Sequence, residues 1–226
     1  MKPIEPMEPM DSSTLDRIRN NYIVQAWLVL ILALCFGASL AGIQLALGPL
    51  IEANKINETL EKVPEMVLGD EKAAEVIKNN QELDIEPHTI EVEKNNRKIF
   101  YNVFEAKHPD GKPAGWVAKA IGQGYADKIE LLLGIDPSLK TITGLFVLDQ
   151  KETPGLGNKI ITKEWRQQFL NKKTKTPLTV TKEGAKKAHE IDSITGATIS
   201  SRSVCSIINT TIKDLRTPLS EQSNKN

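Results

Sequence analysis

Cysteine is nearly missing: Cys35 and Cys205 are the only two in a chain of 226 residues. The first falls in an apolar run and the second near the C-terminus, with no C-x-x-C spacing. A disulfide framework, an iron–sulfur cluster and a structural zinc site therefore all lack the thiolates they require. Histidine is sparse as well, and His88, His108 and His189 show neither H-x-x-x-H nor H-E-x-x-H spacing, so no metal site is expected. Net charge is absent. Lys and Arg total 29 and Asp and Glu total 29, which leaves no global basic field to hold a phosphate backbone and removes nucleic acid from the expected partners. No G-x-G-x-x-G or Walker sequence occurs, so a Rossmann or P-loop nucleotide fold has no fingerprint here. Nothing resembles a catalytic triad or a paired-carboxylate site, and substrate turnover by this chain alone is not expected.

What is present, first, is one long apolar run. No charged residue lies between Arg19 and Glu52, and the polar interruptions of residues 22–47 are Gln25, Ser39 and Gln44. A bilayer core of about 30 Å requires roughly 20 such residues in a helix, whereas the apolar part of a secretory signal is only about 7–15 long. The run reads as an uncleaved transmembrane helix in the lipid bilayer, although Gly37, Ala38, Ala41 and Gly42 also offer small residues of the cleavage-site kind. Tyr22 and Trp27 suit an interfacial belt, and Gly48-Pro49 is expected to close the helix. Flanking charge is nearly balanced, with Arg17 and Arg19 before the run and Lys55 and Lys62 after it. Long domains cross a membrane largely regardless of charge, so the expectation is a cytoplasmic N-terminus and an extracytoplasmic domain.

The length suits one ordinary domain beyond that anchor. Residues 1–21, rich in Pro and acidic side chains, read as a cytoplasmic arm; 22–47 as the membrane helix; 48–87 as a helical connector with helices over 51–62 and 70–80, separated by Pro64 and Gly69. From His88 the pattern turns to β-branched and aromatic runs at 89–93, 98–106, 116–122, 128–133 and 141–148, with 109–115 as a hairpin loop. A helix is expected over 159–170, a short strand over 178–181 and a last helix over 199–215, leaving 216–226 as a tail. Strands first with helices late define an α+β domain on an antiparallel sheet over 88–215.

The most informative stretch is Asp192-Ser193-Ile194-Thr195-Gly196-Ala197-Thr198-Ile199-Ser200-Ser201. Its plain reading is a hydroxyl-rich helix start. The same geometry would serve an anion: Gly196 and Ala197 let a bulky group approach the backbone, and a helix N-terminus favours negative charge by roughly 0.3–1 kcal/mol. A second stretch, Glu152-Thr153-Pro154-Gly155-Leu156-Gly157, reads by itself as a Pro-Gly turn.

Together these two stretches resemble the FMN-binding domains found in the G subunit of Rnf complexes and the C subunit of sodium-pumping NADH:quinone reductases. Residues 192–198 match the D-x-x-[ST]-G-A-T flavinylation pattern, and the turn Gly122-Gln123-Gly124-Tyr125 is similar to the family's G-x-G-Y turn. The resemblance implies that a separate flavin transferase esterifies the phosphate of FMN to Thr198, with Thr195, Gly196 and Ala197 beside it. It also implies that Glu152, Thr153, Leu156 and Gly157 line the flavin, with Tyr125 nearby. A threonine hydroxyl is a weak nucleophile and no base adjoins it in sequence, which agrees with an external enzyme.

By this resemblance the chain is an electron-transfer subunit of a membrane-bound, ion-translocating oxidoreductase, its partners being the other membrane subunits of an Rnf-type complex that couples electron flow between ferredoxin and NAD to ion transport. The compact domain and residues 194–201 look more like the Rnf G subunit than its quinone-reductase counterpart, a choice that stays open. A reading from another class also stands: a membrane-tethered module that holds flavin or another phosphate ligand noncovalently.

Overall fold

The computed structural model describes residues 21–78, 82–94 and 96–223, so most of the expected N-terminal arm, 1–21, lies outside it. The chain divides into two compact units, Met1–Asn54 and Lys55–Asn226. Helix α1 spans Tyr22–Leu68. In the first unit its apolar side chains stand open, Leu32 at 57% and Leu40 at 66% exposure. A helix this apolar and this bare is long enough to cross a membrane.

Gly48-Pro49 does not close α1, and Pro64 does not separate two helices. A proline removes one helical hydrogen bond, a loss of about 3 kcal/mol. Around Pro64 the side chains of Val63, Met66 and Val67 are buried, and at about 1.5–3 kcal/mol for each large apolar side chain that burial outweighs the break. Around Pro49 the residues from Glu52 to Lys62 are largely good helix formers and carry the helix on. The stop comes at Gly69, whose φ of 80° only glycine adopts without cost, and α2 follows over Asp70–Lys78.

Five strands then form one antiparallel sheet in sequence order: β1 Asp84–Lys94, β2 Arg97–Lys107, β3 Pro113–Gln123, β4 Lys128–Ile135 and β5 Ile142–Asp149. All five expected strands are present, and the sheet begins four residues before the expected domain start, so Asp84 to Pro87 belong to it and not to a connector. Pro87 is tolerated because β1 is an edge strand. The fold is α+β.

The sheet is covered on both faces, which explains the uninterrupted Leu131-Leu132-Leu133. Leu132 packs with Val63, Met66, Val67 and Phe104 on one face. Leu131 and Leu133 point the opposite way, as neighbours in a strand must, into a cluster with Val204, Ile208 and Ile212. Those last three belong to the final helix, Thr198–Ser223, which is α4 once the single turn α3, Lys163–Arg166, is counted. Gly134 permits the closest approach on the first face: a Cβ there would lie 2.2 Å from the Met66 carbonyl oxygen.

The expected helix 159–170 is broken into a 3-10 turn at Gly157–Ile161, α3, and a second 3-10 turn at Gln167–Phe169. Ile160, Trp165 and Phe169 are all buried in one cluster. In a continuous helix Ile160 and Trp165 would point about 140° apart at 3.6 residues per turn. The extended backbone at Thr162, ψ 142°, resets the direction so that all three face inward. The strand expected at 178–181 is β6, Thr179–Thr181, and it pairs in parallel with β7, Glu190–Asp192, which three residues are too few to announce. The expected tail is helical as far as Ser223, because Leu215 and Leu219 pack against Tyr101, Val103 and Trp116; residues 224–226 lie outside the described chain.

Candidate flavin site

The stretch 192–201 forms a turn that feeds α4. Ala197 donates its N–H to the Ile194 carbonyl at 2.9 Å, and Gly196 between them has φ 80°, the left-handed position that a type II turn assigns to glycine. Ser201 fixes this turn to the helix. Its hydroxyl accepts the Ile194 N–H at 3.0 Å and donates to the Ala197 carbonyl at 3.0 Å, while its own N–H meets the same carbonyl at 3.1 Å. Ala197 is thus the N-cap residue, and the N–H groups of Thr198, Ile199 and Ser200 have no acceptor within the helix. Thr198 is the first helical residue, half-buried, and among the described residues no side chain engages its hydroxyl. Thr195 and Gly196 are placed on the same turn, Gly196 exposed and Ala197 buried.

The stretch 152–157 is a second type II turn. Leu156 donates its N–H to the Thr153 carbonyl at 3.1 Å, Asn158 donates to the same oxygen at 3.2 Å, and Gly155 has φ 75°. Thr153 is exposed. Leu156 keeps 43% of its surface open, and its Cδ2 lies where a Cβ on Gly196 would be only 2.9 Å away. The two turns are therefore in contact, and a side chain at 196 would push Leu156 aside.

Beneath both turns sits Glu152, only 4% exposed. Its Oε1 accepts the N–H of Tyr125 at 2.8 Å and of Ala126 at 3.2 Å, and its Oε2 accepts the Ser200 hydroxyl at 2.7 Å. One carboxylate thus joins the β3–β4 turn, the 152–157 turn and the first turn of α4. The glycines flanking it leave it room: a Cβ on Gly124 would lie 2.3 Å from Oε1, and one on Gly157 would lie 2.7 Å from Oε2 and 2.6 Å from the Ser200 Oγ. Glu152 and Gly157 are both buried beneath the turns. Tyr125 belongs to it through its backbone, while the residue is 61% exposed.

Ser200, Ser201 and Gly124 fall within the stretches that stand out in the sequence, but nothing in residue order assigns them a role. Their contacts are tertiary, and only the packing of 122–126 against 152–157 and 198–201 reveals them. Trp165 is a core residue, giving its indole N–H to the Asp192 carbonyl at 2.9 Å and meeting Phe169 edge to face at 5.0 Å. Cys205, further along α4, is buried, and desolvation pushes its thiol up to about 12, so at neutral pH it is protonated and a poor nucleophile. Beside the helix start, Ile121, Gly122, Gln123, Ile199, Arg202 and Ile207 line an open groove of about 470 Å³. A hollow of about 330 Å³ near Met66, Lys72 and Leu170 touches none of the motif residues.

The fold and this arrangement define a domain that presents a threonine hydroxyl at the start of a helix, beside exposed apolar side chains held in place by a buried carboxylate. The sequence model of the FMN-binding domain family matches residues 124–213. The G subunit of the Na(+)-translocating ferredoxin:NAD(+) oxidoreductase complex of Acetobacterium woodii is 34% identical over 132 residues, covering 58% of this chain and 62% of that protein. The G subunit of the ion-translocating oxidoreductase complex of Methanosarcina acetivorans is 33% identical over 135 residues, covering 58% and 68%. The chain thus spans less than two thirds of the first relative's length. The crystal structure of NqrC from Shewanella oneidensis superposes with a TM-score of 0.62 at 20% identity, over 77% of this chain and 100% of that one, which shows the shared fold. This chain belongs to the FMN-binding domain family, alongside the G subunits of ion-translocating oxidoreductases.

The Glu152 contacts predict that Glu152→Ala lowers the unfolding free energy by about 3 kcal/mol, because buried donors lose a charged acceptor. Ser200→Ala removes one bond and should lower it by about 1–2 kcal/mol. Denaturant unfolding of the full chain in detergent checks both; equal, sub-kcal effects would show that the carboxylate does not hold the turns.

Proposed function

We propose that this chain is the membrane-anchored electron-transfer subunit of an Rnf-type ion-translocating oxidoreductase and that it carries FMN esterified to Thr198. The observation that supports the reading is the contact between the two motif turns, with Leu156 Cδ2 against Gly196, two residues before Thr198.

The residues present fit the cofactor. The N–H groups of Thr198, Ile199 and Ser200 lack helical acceptors, and together with the helix dipole they favour a phosphate held there by roughly 0.3–1 kcal/mol. Gly196 leaves the turn open for the phosphate and ribityl chain. Leu156, 43% exposed, Tyr125, 61% exposed, and Ile199, 54% exposed, are apolar surfaces against which an aromatic ring system gains about 25 cal/mol for each Å² withdrawn from water. Bound FMN would supply the redox chemistry; these residues position it and exclude water. Among the described residues no base engages the Thr198 hydroxyl, so ester formation is assigned to a separate flavin transferase.

The partners would be the other membrane subunits of the complex and the lipid bilayer. The Rnf G subunit, rather than its quinone-reductase counterpart, is favoured by the two G-subunit relatives above. The domain is assigned to the extracytoplasmic side, the simpler topology for a short arm, one anchor and a long following domain.

Expressed together with a flavin transferase, the wild type and Thr195→Ala should retain fluorescence in the denatured gel band, and Thr198→Ala should lose it. Thr198 is not the cap of α4, so that variant should unfold within about 0.5 kcal/mol of the wild type. Covalent flavin on Thr198→Ala would move the attachment elsewhere, and a dark wild-type band from protein that releases flavin on denaturation would favour the noncovalent module. For orientation, protease added to sealed vesicles with their cytoplasmic face outward should leave residues 55–226 intact. Digestion of the domain there would reverse the topology.

A further inference from the structure

We propose that Glu86, His88 and Glu105 form a binding site for a divalent first-row transition ion, for which Zn2+ is the probe. The site lies on the β1–β2 ladder, outside residues 124–213 matched by the FMN-binding family, and it stands independently of the flavin reading. Glu86 and Glu105 are direct cross-strand partners, and His88, two residues along β1 from Glu86, points to the same face. The ligand atoms of all three lie within 4.8 Å of one another. His88 Nε2 is 3.5 Å from the Glu105 Oε2 and 3.9 Å from the Glu86 Oε2. In a tetrahedral zinc site, bonds of about 2.0–2.1 Å put neighbouring ligands about 3.4 Å apart, so small side-chain adjustments would bring the three donors onto one ion.

Two features make a cation the natural occupant. Like charges directly opposite on paired strands destabilise the pair, and Glu105 is nearly enclosed, with 5% of its side chain exposed. His88 Nε2 is sealed from solvent without a hydrogen-bond partner, and an imidazole nitrogen in that condition is available as a ligand. The Lys107 ammonium serves the two carboxylates, 3.0 Å from Glu86 and 3.4 Å from Glu105, but makes no hydrogen bond to His88 Nε2. The Lys107 side chain keeps 20% of its surface open, and its four-carbon stem gives the ammonium room to turn toward solvent, whereas a metal ion would satisfy both carboxylates and the imidazole together. His88 lies beside Trp116, ring centroids 6.1 Å apart, so occupancy has an optical reporter. Sequence spacing does not announce this cluster, because two of its members are on one strand and the third stands on the next, paired across the ladder. Binding here would fasten the edge strand β1 to β2.

The test uses the full chain in detergent, stripped with chelator and titrated with Zn2+ against a chromophoric competitor while Trp fluorescence and thermal unfolding are followed. The expected result is one ion per chain and a raised unfolding temperature. His88→Ala should weaken binding at least about tenfold, a loss that outer-shell changes alone produce at metal sites. Lys107→Met should tighten binding by removing the competing cation, and it serves as the deciding variant should His88→Ala fail to fold. His108→Ala and His189→Ala should bind as the wild type does. No saturable binding, binding unmoved by His88→Ala, loss of binding on changing His108 or His189, or no gain in Lys107→Met would each overturn the site.

Discussion

Three segments that are distant in sequence, the β3–β4 turn, the 152–157 turn and the start of α4, meet on the carboxylate of Glu152. A carboxylate withdrawn from water is costly unless its oxygens are engaged, and here two backbone N–H groups and one hydroxyl engage them. The arrangement is self-enforcing: each segment satisfies the charge only when the other two are in place. Gly124 and Gly157 follow from it, since a Cβ at either position would strike the carboxylate. So does the position of Leu156 over Gly196. The surface proposed to receive FMN is thus built on a buried ionic knot, with few of its own residues contributing to the core.

The sheet supplies the rigid floor for that knot. Because both of its faces are covered, its central strands are largely apolar, and β4 can hold the β3–β4 turn with little freedom. Val204, Ile208 and Ile212 seat α4 against the same sheet, which fixes the helix start. Ser201 then couples the 194–197 turn to the helix through both its hydroxyl and its N–H. A hydroxyl presented at Thr198 on so constrained a backbone is suited to recognition by a modifying enzyme and to holding a cofactor at a set place.

Much of this is legible in residue order. The five strands are readable because each carries β-branched or aromatic runs bounded by turn residues, and Pro154-Gly155 announces its turn, whereas 192–201 reads only as a helix start. What escapes is non-local. Pro49 and Pro64 read as helix ends, yet in the second case the burial of Val63, Met66 and Val67 overrides the proline. The segment 159–170 has helical composition, but its three core side chains are spaced for a broken helix. Leu219 draws the last helix past its expected end. Nor is the burial of Glu152 legible: by itself the stretch 152–157 reads as a Pro-Gly turn, and no local pattern distinguishes a solvated carboxylate from one enclosed to 4% exposure by turns 27 and 48 residues away.

If Glu152 assembles the surface on which Thr198 is flavinylated, disturbing the carboxylate should disturb the modification without touching the acceptor. Glu152→Ala removes both acceptor oxygens, so the N–H groups of Tyr125 and Ala126 and the Ser200 hydroxyl lose their common partner, while Thr198 is unchanged. The decisive measurement is covalent flavin per chain in Glu152→Ala, made with the transferase present and compared with the wild type at equal helix content. A pronounced fall in loading is the predicted result; loading at the wild-type rate and level would contradict it.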